Sequence, residues 1–158
     1  MHIDIKDYIL SLKHQKFRSV IIYHNNNSAL ELFLIQSSIK TDGYHIDMLN
    51  YFQQDPELIK SLDSFSVIKL KNILVKLTKG YSIVFLTNLN FLFDTWGITE
   101  KMDFATFVEK QWNSFYSENA ATLVFGLQTD NWLEKLKIID TEGRSRVHKL
   151  NEFKAIRL

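Results

Sequence analysis

The run Val20-Ile21-Ile22-Tyr23 constrains this chain most: four β-formers in succession with no polar residue between them. A strand of that kind suits a sheet covered on both faces. Three asparagines, Asn25 to Asn27, then break the run before an apolar stretch resumes. Asparagine side chains bond nearby backbone and tolerate left-handed conformations, so the triplet reads as a turn. Ser28 and Glu31 have capping-box spacing, which predicts a helix starting at Ser28. Leu30, Phe33, Leu34, Ser37 and Ser38 follow at helical spacing. Strand, tight polar loop and helix N-terminus form the arrangement in which α/β folds bind phosphate. Here the loop has the position of a phosphate cradle without its chemistry.

Three further strands are expected at Tyr44–Leu49, Tyr81–Leu86 and Thr122–Leu127, the last two again without alternation and so central. Helices are expected over 4–16 with Asp4 as cap, from Asp55-Pro56-Glu57 to Leu62, and from Ser66 to Thr78. Gly80 ends the third of these, whose stripe is Val67, Leu70, Ile73, Leu74 and Leu77. A short helical segment covers Phe91 to Trp96. A long helix runs from Thr99 to about Glu118, with Met102, Phe104, Phe107, Val108, Trp112 and Phe115 as its apolar face, and a short one covers Asp130 to Lys137. Lys137–Asp140 and Arg144–Leu150 flank Thr141-Glu142-Gly143 and read as a β-hairpin, with 151–158 as an edge strand. The expectation is an α/β fold: one domain over 1–158 with a mainly parallel five-stranded sheet sandwiched by helices and a C-terminal β-hairpin.

Composition narrows the function classes. With 158 residues, 46% hydrophobic and 23% charged, the chain can bury a core of ordinary size. A net charge of +1 creates no whole-protein field for nucleic acid or an acidic membrane. Absence of cysteine excludes disulfides, thiolate zinc sites and a cysteine nucleophile. The first residues carry acids rather than an apolar signal core, and no run approaches the roughly 20 apolar residues of a membrane span. A cytoplasmic protein without membrane contact is expected. Only 5 glycines are present, and nucleotide-binding loops depend on glycine for backbone approach to phosphate.

The order and spacing of these elements over residues 18–150 resemble the core of P-loop NTPases of the RecA/AAA type. In that family the first loop reads Gly-x-x-x-x-Gly-Lys-Ser/Thr, with lysine on the phosphates and the hydroxyl on magnesium. The matching place here reads His24-Asn25-Asn26-Asn27-Ser28-Ala29, where Ser28 alone keeps a compatible hydroxyl. Where the family places a metal-binding acid after the third strand, this chain has Thr87 and Asn88, with Asp94 further on. Gln128 matches in kind the polar sensor after the fourth strand. The segments Arg146-Val-His-Lys-Leu-Asn-Glu-Phe153 and Phe93-Asp-Thr-Trp96 are similar to small P-loop-like proteins of bacterial phage-defence operons, including the BrxF component of BREX systems. The resemblance implies a degenerate, non-catalytic member, a pseudo-ATPase without cofactor. It would bind a protein partner, either an active ATPase or a DNA-modifying complex.

Each candidate site has a plainer reading beside it. His24, Asn25, Asn26, Asn27 and Ser28 would hold an anion or nucleotide at a helix N-terminus, or make a capped turn with no ligand. Asn88, Asn90, Asp94 and Gln128 would face the same edge of the sheet, or simply bond loop backbone. A weak NTPase or small hydrolase would use Ser28, His24, Asp94 and Gln128, although no elbow glycines surround the serine. His45 and Asp47 point to one face of a strand, but with no third ligand a His–Asp hydrogen bond is expected rather than a metal. Arg144, Arg146 and His148 alternate along the hairpin beside Lys149. There they would meet nucleic-acid phosphates, or serve as a charged edge that deters aggregation. Trp96, next to Gly97, is expected as an exposed partner contact, whereas Trp112, Tyr116 and Trp132 are read as core.

Overall fold

The computed structural model describes residues 2–112, 120–128 and 131–157. Five strands form one sheet: β1 (Ser19–His24), β2 (Tyr44–Asp47), β3 (Ile83–Thr87), β4 (Thr122–Gln128) and β5 (Val147–Lys149). Every pairing is parallel and the order is β2-β3-β4-β1-β5. The unalternated run in β1 now has its cause. Val20 and Ile22 pack on one face of the sheet with Leu30 and Leu34, while Ile21 and Tyr23 pack on the other with Phe52, Leu70 and Phe104. Both faces are dry, so both sets of side chains must be apolar.

Helices α1 (Ile5–Ser11) and α2 (Asn27–Lys40) cover the first face. The second is covered by α3 (Met48–Gln53), α5 (Val67–Leu77), α6 (Asn90–Thr95) and α7 (Ile98–Thr106), while α4 (Pro56–Lys60) stays at the surface. Their starts follow capping chemistry: Asp4, Asp47, Asp55 and Ser66 each accept a backbone N–H of the first turn that follows. Asp47 therefore ends β2 two residues earlier than expected, because its side chain opens α3. Ser28 is not the cap of α2. Asn26 is, accepting the Ala29 N–H at 3.0 Å, and Glu31 is thereby released from the expected capping box. Beyond Thr106 the helix widens into a single π turn, Phe107–Gln111. The rest of the long helix expected there, with Phe115 and Tyr116, lies outside the described residues, as does Asp130.

The C-terminal hairpin is shorter than expected, with Asp140 N–H donating to Arg144 O at 2.8 Å and Arg146 N–H to Ile138 O at 2.7 Å. Ile139 and Ser145 make a single antiparallel bridge across a turn in which Gly143 has a φ of 80°, and the chain then joins β1 as the parallel strand β5. Asp140 fastens this turn, accepting N–H groups of Glu142 at 2.8 Å and Arg144 at 3.0 Å together with Arg144 Nε at 2.9 Å. Burial alone would push the Asp140 carboxyl up, but these bonds and the Arg144 charge hold it below the usual carboxylate range. The last described residues form no edge strand. A 3-10 turn, Leu150–Glu152, leads to Phe153, which bridges to Ile3.

Arg146 faces inward rather than outward. Only 1% of it is exposed, and its guanidinium donates to five backbone carbonyls: Phe17, Ser19, Val108, Glu109 and Ile139. The carbonyls of Val108 and Glu109 belong to the π turn, so one buried side chain ties that turn to the start of β1 and the approach to β5. His148 is likewise buried, its Nε2 lying 3.0 Å from Tyr8 Oη. The outward basic face expected of Arg144, Arg146 and His148 therefore does not exist, although Arg144 and Lys149 remain exposed. Trp96 is corrected too: it is buried, and its indole N–H donates to Phe65 O at 2.8 Å.

Candidate functional site at the carboxyl edge of the sheet

β1 and β4 are neighbours, yet the helices after them lie on opposite faces. α2 follows β1 on one side, and α8 (Asn131–Lys135) buries Leu133 in the core of the other. In open α/β sheets that reversal makes a crevice at the carboxyl ends of the strands, the usual ligand position. Because β3 lies next to β4, the ends of β1, β4 and β3 come together there.

The crevice holds the chain's own amides. Gln128 N–H donates to Asn90 Oδ1 at 2.9 Å, and Asn90 Nδ2 donates to Asn27 Oδ1 at 3.2 Å. Asn27 Nδ2 donates to Asn88 Oδ1 at 3.0 Å, and Asn88 Nδ2 in turn reaches the Glu31 carboxylate. Gln128 Nε2 closes over the β1 loop by donating to Asn25 O at 3.2 Å. Asn88 adopts a left-handed φ of 58° to place its side chain in this series, a conformation that asparagine tolerates better than most residues. The first turn of α2 thus faces amide groups and a carboxylate where a phosphate would require open backbone donors and a cation.

The other expected site residues are dispersed. His24 Nδ1 accepts the Asn26 N–H at 3.0 Å, and the exposed Ser28 hydroxyl bonds to nothing among the described residues. Asp94 is exposed on α6, without a hydrogen bond or ion pair among the described residues. No relay joins Ser28, His24 and Asp94. His45 does not pair with Asp47: its Nε2 lies 2.7 Å from Thr87 Oγ1. Burial pushes the His45 imidazole below its usual pKa against the opposing pull of Asp47 and Glu31, so it serves as a neutral hydrogen-bonding ring. No group of three or more His, Asp or Glu residues among those described could hold a metal.

The space at this edge is small. A cavity of about 150 Å³ lies between α6 and α8, and one of about 240 Å³ lies beside Tyr23, His24 and Lys149. A larger one, about 740 Å³, is at the opposite edge among the amino ends of the strands, near Lys13, Arg18 and Tyr81, away from every expected site residue. Sequence reading placed Asn27, Asn88, Asn90 and Gln128 at one edge correctly but missed Glu31 as their terminus, because its spacing from Ser28 mimics a cap. No described helix is long and apolar enough to cross a membrane. Comparison with protein-family models found no match, and neither did comparison with curated proteins or with solved structures.

Proposed function

We propose that this chain is a non-catalytic interaction domain built on a P-loop-type scaffold. It serves a bacterial phage-defence complex as a pseudo-ATPase subunit and docks on an active ATPase or a DNA-modifying assembly. The observation that carries the reading is the series Gln128–Asn90–Asn27–Asn88–Glu31, which runs across the switch-point crevice and ends on a carboxylate. A triphosphate entering there would have to break at least two side-chain hydrogen bonds and approach a carboxylate, with no lysine supplied by the loop. The strand order supports the likeness to RecA/AAA-type cores. It differs from the 3-2-1-4-5-6 and 2-1-3-4-5 orders of dinucleotide- and flavodoxin-like folds, and it brings the loop after β1 beside the ends of β3 and β4. The phage-defence setting rests on the likeness of Phe93–Trp96 and Arg146–Phe153 to such proteins.

Calorimetric titration with ATP and magnesium tests the reading. No saturable heat is expected below millimolar nucleotide, and no turnover of ATP above the buffer rate. Micromolar affinity, or turnover lost on Ser28→Ala, would transfer the site to the NTPase reading.

A further inference from the structure

The cavity between α6 and α8 has a chemistry of its own. Asn90, Phe93, Asp94, Leu127, Gln128, Trp132 and Leu133 line it. The Trp132 ring lies parallel to that of Phe93, 15° between planes and 5.7 Å between centroids, so one wall is aromatic. Asn90 Nδ2 donates one of its two hydrogens to Asn27, and Gln128 Nε2 donates one to Asn25 O. The one charged side chain among the described lining residues is the carboxylate of Asp94. Gln128 Oε1 and the Asp94 carboxylate accept no hydrogen bond among the described residues, and no described lysine or arginine lines the wall. A pocket offering a carboxylate, a carbonyl oxygen and an indole face selects a donor that is positively charged. At about 150 Å³ it falls well below the roughly 300–1,000 Å³ of small-molecule sites and matches a single side chain.

We infer that this pocket receives an arginine or lysine side chain of the partner protein, as the anchor of the interaction. The inference deepens the interaction-domain reading and rests on it. The guanidinium or ammonium sits between Asp94 and Gln128 Oε1 with its stem on Trp132. Trp96, expected as the contact residue, is replaced in that role by Trp132, which is half-buried.

A blocked Ala-Arg-Ala peptide titrated into the isotope-labelled protein tests this. The Trp132 indole N–H resonance is expected to move saturably, and the same peptide with neutral citrulline in place of arginine should bind at least about tenfold more weakly. Asp94→Asn should cause a similar loss with an unchanged melting temperature, since Asp94 is exposed and unbonded. Equal binding of the citrulline peptide, or no shift with either an arginine or a lysine peptide, overturns the inference. So does binding of free agmatine without binding of the peptide, which would assign the pocket to a small amine. The nucleotide titration stays separate: its silence together with a failed peptide titration removes the anchor and leaves the pseudo-ATPase reading standing.

Discussion

Arg146→Met is expected to lower the free energy of unfolding by about 3–5 kcal/mol, read as a shift in urea midpoint at unchanged slope. The side chain is replaced by one of similar length that donates nothing. Carbonyls of Phe17, Ser19, Val108, Glu109 and Ile139 lose their shared donor, those of Ser19 and Val108 in buried positions and the others in part-buried ones, at about 1–3 kcal/mol for each buried one left unsatisfied. One term runs the other way. Burial pushes the Arg146 guanidinium below its usual pKa, so removing the charge relieves part of a desolvation cost, and the sum over the carbonyls is not fully realised. Ser19 Oγ still donates to Val108 O at 2.6 Å, which leaves that carbonyl partly satisfied. Arg146→Lys should fall between wild type and Met, because an ammonium reaches fewer of the acceptors. A loss for Met below about 1 kcal/mol would mean that water replaces the guanidinium and that the tie is not structural.

Gly126→Val should also destabilise, by about 1–3 kcal/mol, against the direction strand propensity alone predicts. Gly126 lies in the middle of β4, in register with Ile22 of β1. A Cβ added there would stand 2.3 Å from Leu34 Cδ1 and 3.4 Å from Leu86 O. Leu34 is fully buried in α2 against the sheet, so either its side chain takes another rotamer in a packed core or the helix shifts. α2 carries Asn27 and Glu31, so a shift of the helix would pull two members out of the amide series. Gly126→Ala should cost less than Val, in the order of added volume. A valine variant more stable than wild type would show that α2 is loosely seated and that the glycine has no packing role.

What the sequence disclosed and what it hid divide along physical lines. β1, β3 and β4 were legible because a strand buried on both faces needs uninterrupted apolar residues, and Val20–Tyr23, Val84–Leu86 and Leu123–Phe125 supply them. Of the turn expected at Asn25 to Asn27, Asn25 and Asn26 are in the loop and Asn27 opens α2, since local backbone bonding is what asparagine does. The partner of a strand is not local. Thr141-Glu142-Gly143 has proper turn chemistry and the chain pairs with itself at Ile139 and Ser145, but beyond Arg146 it pairs with β1, a partner distant in sequence. Alternating Arg144, Arg146 and His148 look like an outward charged face only on the assumption that arginine seeks water. A guanidinium with five carbonyls around it does not need to. Trp96 misled for the same reason: its neighbour Gly97 suggested a loop, while its indole N–H already had a buried acceptor in Phe65 O. The strand, polar loop and helix at residues 20–34 located the candidate crevice, and only the tertiary structure could place Glu31 at the end of the asparagines.

The central claim is that the amides of this crevice are tied to one another and to Glu31, and that phosphate is therefore not bound there. Side-chain amide protons of Asn27, Asn88 and Asn90 report on it directly by nuclear magnetic resonance. The account predicts slowly exchanging, dispersed resonances for all three in the free protein, unmoved by millimolar ATP with magnesium. Fast exchange at random-coil positions, or displacement of these signals by nucleotide, would contradict it.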